Sequence, residues 1–526
     1  MAVFAHTRAM RNELNNWIGG AWLVETYGLE LVMPLSVVSC IGGRRASRLV
    51  EGVSIETYVE AMRPAMTVRG HVTFHLKHEV PHLELLSRLF DRIDTADLVA
   101  WLEDEPTGQY ARRAGFFYEL LTGQELINGA KIGGGYVDAI DARKLVAATK
   151  GREVPNRRWR VRNNLPGTAA FCPIVRKTPE VLESMALDVP ALVDELAVEF
   201  GDDVLMRSAV WMTLRESKSS FAIEGEADQA DRIQRFADVL ARRTGQGPWP
   251  LDQGSLAALQ SEILGKRTTV QRFGLRQSPV FVGAVLRHQE IVHYVAPPAD
   301  DVPAMLEGLR AFLDRTQGQS PVMRSAVVAF GLVYIHPLAD GNGRVHRFLI
   351  NDSLRRDGWL RDPMILPVSA LITRDRGERR AYDEILDVIA RPLMRSLAGL
   401  YQFSNTPQVY ADGIRSNFVF CGDDTARHAW RALDLTRHVS YLAQLLRRTI
   451  REEMREESRY LRTHARARRA VKEIIEMPDD QVDRVIRSFE ANQGQLSRVL
   501  SKEIPALLEA GVWDVIREAI QNAFRD

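Results

Sequence analysis

The sequence predicts a mainly α-helical protein that carries one small β-hairpin, a mixed domain ahead of the helical core and a further helical segment behind it. Three observations predict this. Residues 325–335 are apolar nearly all round (Val327, Val328, Phe330, Leu332, Val333 and Ile335), the pattern of a helix buried on every side. Leu306, Leu309, Phe312 and Leu313 recur at spacings of three and four, which gives a second helix one apolar face. Residues 280–283 and 291–295 are short β-type runs separated by a polar stretch containing Arg287, His288 and Gln289, so they read as a hairpin.

At 526 residues the chain exceeds one ordinary core, and about two to four domains are expected. Residues 1–148 read as one mixed domain of unassigned role. Its apolar stretch at 31–43 contains Pro34 and is too short to cross a bilayer, so it is read as buried core. Val72, Phe74 and Leu76 alternate and predict a strand. Leu83, Leu86 and Phe90 lie on a helical stripe, and a second helix over 111–121 ends at Gly123. His71, His75 and His78 lie close together without a carboxylate at ligand spacing, and are read as structural or solvated.

Residues 149–181 are expected to be a linker. Lys150, Arg152, Arg157, Arg158, Arg160 and Arg162 surround Trp159 there, and Pro155, Pro166 and Gly167 interrupt regular structure. A basic stretch around one aromatic residue leaves nucleic-acid contact open. Residues 182–401 are mostly helical, with Val302-Pro303 opening a helix beside Asp300 and Asp301. Residues 402–526 are expected to be helical and highly charged. The alternating charges over 447–469 read as a solvated helix face, and 477–520 as a degenerate helix-turn-helix.

Hydrophobic content of 45% and charged content of 26% suit a soluble globular chain. The net charge is +1, so no global field draws the protein toward nucleic acid or an anionic membrane. Cys40, Cys172 and Cys421 are far apart and odd in number, which argues against a disulfide scaffold or a structural zinc site. The first residues lack the continuous apolar run of a signal peptide, so the expected location is cytoplasmic, with no membrane partner.

The chemistry concentrates in His336-Pro337-Leu338-Ala339-Asp340-Gly341-Asn342-Gly343-Arg344, with Arg347 three residues further on. Pro337 cannot continue the helix before it, so His336 sits at a helix end. Val345, Phe348 and Leu349 restart helical periodicity, so the loop runs into a helix N-terminus, where free N–H groups and the helix dipole favour an anion. Gly341 and Gly343 permit positive φ and close approach of phosphate oxygens. Arg344 and Arg347 share a helix face and can grip phosphates together. Asp340 can hold Mg²⁺, and Asn342 can fix either the loop or a phosphate oxygen. His336, with an unperturbed pKa near 6.5, can accept a proton from a hydroxyl. A calcium loop of the EF-hand kind fails: counted from Asp340, Val345 stands where Gly is required and Asn351 where Glu is.

This run resembles the signature of the Fic family, His-x-Phe-x-(Asp/Glu)-Gly-Asn-Gly-Arg-x-x-Arg. Every defining position matches except Phe, which is Leu338, a mild apolar change. The resemblance spans roughly residues 200–400 and implies a Fic-type helical core. It also implies transfer of AMP from ATP to a Ser, Thr or Tyr hydroxyl of a target protein, either another chain or this one. His336 would deprotonate the hydroxyl and Asp340 would hold Mg²⁺. Gly341, Asn342 and Gly343 would form the anion hole, Arg344 would hold phosphate oxygens and Arg347 the γ-phosphate. The hairpin at 280–295 resembles the family's flap, with Val280, Phe281, Val282 and Gly283 aligning the target. Gly343 argues against the kinase-like branch, which carries Lys there.

Ser220-Phe221-Ala222-Ile223-Glu224-Gly225 resembles the family's inhibitory motif Ser-x-x-x-Glu-Gly, with Ser220, Glu224 and Gly225 at its fixed positions. A capping box would need Ser or Thr where Phe221 stands. The motif implies a helix near 219–226 whose Glu224 pairs with Arg347 and restrains the enzyme. Two alternatives stay open at this point. The same site could remove AMP from a modified protein, or the chain could be a nucleotide-sensing regulator whose C-terminal segment binds DNA or protein. A homodimer is compatible with either.

Overall fold

The computed structural model describes residues 16–50, 52–226, 229–265, 268, 270–286 and 289–525. Arg287 and His288 of the polar hairpin stretch, and the first residues considered for a targeting segment, lie outside them.

The architecture is mainly helical with small sheets. At the N-terminal end, strands Val37–Ile41 and Val53–Tyr58 run parallel in a four-stranded sheet beside helices Leu83–Phe90 and Gln109–Thr122. Leu31, Val32 and Leu35 are buried, as an apolar stretch of that length requires. The strand expected from Val72, Phe74 and Leu76 is instead helix Val68–His78, capped by the Thr67 side chain accepting from the N–H of Gly70. The alternation misleads because His71 and His75 also face inward: buried positions 68, 71, 72, 75 and 76 follow helical spacing. Nδ1 of His71 accepts from the N–H of Gly19 at 3.0 Å, and His75 meets Glu79 at 2.6 Å.

The stretch expected to be a linker is folded. Val154–Asn156 and Val161–Asn163 pair antiparallel, and Trp159 is fully buried, its Nε1–H donating to Glu119 at 2.7 Å. Arg158 pairs with Glu119 and Glu125, and Arg162 with Asp138. Buried Trp159 and these ion pairs leave much less of the basic stretch free for nucleic acid.

The larger core gathers around helix α2 (Pro321–Ile335), nearly all of whose residues are buried. Helix α3 (Asn342–Arg356) returns against it. Helix α1 (Asp202–Ile223) and helix α4 (Arg376–Ser396) flank the α2–α3 turn. The hairpin of strands β1 (Phe281–Leu286) and β2 (Gln289–Val295) lies against α4, antiparallel as expected.

The segment after 401 opens with strands rather than helix: β3 (Tyr401–Val409) and β4 (Arg415–Phe420) form a second antiparallel hairpin. Helix α5 (Thr436–Arg448) then passes through a π-helical turn, Thr449–Met454, into helix α6 (Arg455–Ile474). The charges on this rod are only partly solvated. Glu453 is buried and meets Arg215 at 2.9 Å, and Arg455 meets Glu199 at 2.7 Å. Helices Asp479–Ala491, Arg498–Glu503 and Val512–Arg525 close a separate small core with the end of α6. No helix among the described residues is long and apolar enough to cross a membrane.

Candidate functional site

Helix α2 ends where its sequence requires. Pro337 cannot follow in a helix, and His336 takes the left-handed conformation (φ 51°, ψ 57°), its N–H bonding the carbonyl of Leu332 at 2.8 Å. The imidazole Nδ1 lies 3.1 Å from the carbonyl of Val333. A carbonyl only accepts, so Nδ1 carries the proton and Nε2 keeps a lone pair. Burial, then the positive charge of Arg276, lower the His336 pKa to about 4. The ring is therefore neutral near pH 7, in the protonation state of a base.

Leu338 is fully buried at the position where the family pattern has Phe. Asn342 folds the loop shut: its Oδ1 accepts from the N–H of Leu338 at 3.0 Å and its Nδ2 donates to the carbonyl of Leu338 at 2.7 Å. Of the two roles open to Asn342, its side chain takes the structural one. Gly341 is left-handed (φ 92°) at the N-cap of α3. At Gly343 a Cβ would lie 2.3 Å from Glu224 Oε1, so only glycine lets a charged oxygen come this close. Gln260, which the sequence did not single out, donates to the carbonyl of Asp340 at 2.8 Å and accepts from the N–H of Gly274 at 2.8 Å.

Both arginines are buried and both are occupied. Arg347 donates from Nε to Ser220 Oγ at 2.6 Å and from Nη2 to Glu224 at 2.5 Å. Burial opposes its charge, but Glu224, with Tyr382 and Glu216 behind it, outweighs this and the pKa of Arg347 is raised. Arg344 lies 2.9 Å from Glu224 through Nε, 3.1 Å from Glu226 through Nη1 and 2.9 Å from Asp340 through Nη2. Its Nε contact is an ion pair without hydrogen-bond alignment. Glu224 thus spans both guanidiniums, and Glu226 adds a carboxylate that the motif did not reveal. Gly225 is left-handed (φ 77°) and ends α1, turning the chain so that both carboxylates face the arginines.

Of these groups, Glu224, His336, Asp340, Gly341, Asn342, Gly343 and Arg347 line a cleft of about 770 Å³. Val280, Phe281, Val282 and Gly283 of the hairpin form one wall, with Val282 40% exposed. The pairing register shifts at Val282/Gly283, where a Cβ on Gly283 would lie 2.2 Å from the Ile291 carbonyl. A second wall is one face of α4: Arg379, Tyr382, Asp383, Leu386, Asp387 and Ala390. Their spacing of three and four was readable in the sequence, but only as a helix face. Arg276 was also missed. It is buried and donates to the carbonyls of His336 (2.7 Å), Ser278 (3.1 Å) and Pro297 (2.5 Å).

The arrangement combines a neutral imidazole, a helix N-terminus and the Arg347 guanidinium around one cleft, with Arg344 reaching it through Glu224, the parts needed to bind a polyphosphate and deprotonate a hydroxyl beside it. No cluster of three or more His, Cys, Asp or Glu that could hold a metal occurs among the described residues. Asp340 is a single carboxylate, which suits Mg²⁺ only when a substrate's phosphates supply further oxygens.

Residues 250–354 match the model of the Fic/DOC family. The chain is 32% identical over 111 residues to "Protein adenylyltransferase Fic" of Drosophila grimshawi, covering 21% of each chain. It is 28% identical over 149 residues to the protein of the same name from Culex quinquefasciatus, covering 27% of this chain and 26% of that one. Among solved structures, a Fic family protein from Desulfovibrio desulfuricans G20 aligns with 22% identity and a TM-score of 0.36, over 56% of this chain and 80% of that one. The match to these curated relatives spans only about a fifth to a quarter of their length.

Proposed function

Starting from a chain that carries a Fic/DOC-family domain over residues 250–354, we propose that it is a protein adenylyltransferase restrained by its own Glu224. AMP passes from ATP to a Ser, Thr or Tyr hydroxyl of a protein. Nε2 of His336 takes the hydroxyl proton, the hydroxyl oxygen bonds to the α-phosphorus, and the bond to the β-phosphate oxygen breaks to release pyrophosphate. Amides at the start of α3, with Gly341 and Gly343, hold phosphate oxygens, and Arg344 and Arg347 neutralise the phosphate charge. Asp340 would hold Mg²⁺, which supplies charge neutralisation at the phosphates when bound. Val280, Phe281, Val282 and Gly283 align the target chain beside His336.

The single observation that carries this is the neutral His336, its Nε2 unprotonated, at the head of a loop that lines one cleft with Arg347, while Arg344 and Arg347 converge on Glu224 at the cleft's edge. The restraint is supported by Glu224 lying within 2.5 Å of Arg347 and 2.9 Å of Arg344, the partners a triphosphate needs. Ser220 Oγ accepts from Nε of Arg347 at 2.6 Å, and left-handed Gly225 turns the chain directly after Glu224. We assign the chemistry to residues 182–401, with 1–148 and 402–526 as flanking domains, and a reducing, cytoplasmic setting fits three cysteines far apart in the sequence.

The test is covalent labelling. Wild type, Glu224→Gly and His336→Ala are each incubated with a cell lysate, Mg²⁺ and ATP labelled at the α- or the γ-phosphate. Protein-bound α-label that rises in Glu224→Gly and vanishes in His336→Ala is the expected result. Label arriving from the γ-phosphate, or none even with Glu224→Gly, overturns the proposal.

A further inference from the structure

The hairpin β3–β4 lies outside the residues matched to the family, yet it touches the flap at one place and the segment just before the flap at another. At its base, Phe403 and Phe418 pack on Phe281 of the flap, with ring centroids 5.3 and 4.8 Å away. At its tip, Asp412 is only 4% exposed and is surrounded by donors. Its Oδ1 accepts from the N–H of Ile414 at 3.0 Å, which holds the tip in shape. Its Oδ2 accepts from the N–H groups of Gln277 (2.7 Å) and Ser278 (2.8 Å) and from the Ser278 hydroxyl (2.8 Å). Arg272 donates to the neighbouring carbonyl of Ala411 at 2.7 Å. One buried carboxylate oxygen with three donors is a charge-assisted clamp, not a solvated turn residue.

The clamped segment is the wedge between the transfer loop and the flap. Leu275 bridges to Leu338, and the N–H of Arg276 donates to the carbonyl of Pro337 at 2.9 Å. The Arg276 guanidinium ties the carbonyl of His336 to that of Pro297, just beyond the end of the flap. Ser278 is two residues before Val280, where the flap wall of the cleft begins. Asp412 therefore fixes the point from which the flap departs, and Arg276 fixes the same point to His336.

We propose that Asp412, on a hairpin outside the matched domain, is a positioning residue that sets the flap's height and register over His336. It governs how a target chain is presented and leaves ATP binding to the loop. This rests on the adenylyl-transfer reading for its catalytic consequence, though the geometric part stands without it.

The experiment uses the full chain in the Glu224→Gly background, with Asp412→Ala, Asp412→Asn and Ser278→Ala. Amide hydrogen exchange is followed by mass spectrometry in the flap and, as a fold control, in α2. Binding of a fluorescent ATP analogue and α-label transfer to lysate protein are measured in parallel. For Asp412→Ala, flap exchange should accelerate about tenfold and label transfer should fall about tenfold, with exchange in α2 unchanged and ATP-analogue Kd within about twofold. Asp412→Asn keeps one accepting oxygen and Ser278→Ala keeps both amide bonds, so each should be intermediate. Unchanged flap exchange in Asp412→Ala overturns the proposal. So does acceleration equal in α2 and the flap, which would mark a general loss of stability, or an ATP-analogue Kd that rises as far as transfer falls. If Glu224→Gly transfers no label at all, the transfer reading fails by itself, and flap exchange alone decides whether Asp412 positions the flap.

Discussion

Replacing Glu224 with glycine separates restraint from chemistry, because it removes the one carboxylate shared by both arginines and leaves His336 alone. The carboxylate meets Arg347 at 2.5 Å and Arg344 at 2.9 Å. For charge centres about 4 Å apart and an effective dielectric constant of about 20, one such pair is worth about 4 kcal/mol before desolvation is subtracted. The Glu224 side chain is 23% exposed, and Ser220 still accepts from Arg347, so a net share of about 1.5–3 kcal/mol is expected for the aligned bond. At about 1.4 kcal/mol per factor of ten, the Kd for ATP with Mg²⁺ should fall by about 10- to 150-fold. The same change leaves buried Arg347 with one partner fewer. Ligand-free Glu224→Gly should therefore melt below wild type, yet gain more in Tm from ATP. Titration calorimetry and thermal melts with and without ATP measure both effects. An unchanged Kd, or equal Tm gains from ATP in the two proteins, refutes competition between this carboxylate and phosphate.

Glu226→Gln added to Glu224→Gly should raise label transfer a further two- to fivefold, since its 3.1 Å pair with Arg344 is a third exposed and worth about 0.5–1 kcal/mol; no additional gain would assign the whole restraint to Glu224. The rate of transfer by Glu224→Gly should be flat from pH 8 down to roughly pH 5.5 and fall as pH drops through about 4, where His336 takes up its proton; a midpoint near 6.5 would contradict a buried base. The same depressed pKa means the unfolded chain binds the extra proton first. The contribution of His336 to stability is therefore full above about pH 6.5 and is lost as pH falls toward 4, which melts of wild type and His336→Ala across that range would resolve. Asn342→Ala removes both bonds to Leu338 and should cost about 1–3 kcal/mol of stability together with most label transfer, whereas retained transfer would show that the loop holds its shape without them.

What the sequence made legible follows from which contacts are local. His336, Pro337, Gly341 and Asn342 declare a helix end, a turn and a new helix within a few residues, and those features stand in the structure. The flap hairpin was readable because its two runs are adjacent. The strand expected at Val72–Leu76 failed because two histidines face the core, and a histidine's polarity hides which way it points. Trp159 among arginines suggested an exposed connector, but the partners that bury it and neutralise its neighbours, Glu119 and Glu125, lie more than thirty residues earlier. Glu226, Arg276 and Asp412 were invisible for the same reason. Each acts through residues far away in the chain, and nothing in its own neighbourhood marks it.

The left-handed backbone at His336 has a consequence of its own. An L-residue other than asparagine or aspartate holds that conformation at a cost of about 1–2 kcal/mol. The residue proposed to take the hydroxyl proton thus sits in a backbone conformation that most side chains avoid. Glycine there would ease the backbone and silence the imidazole at once, so a more durable fold and a working one pull this position in opposite directions.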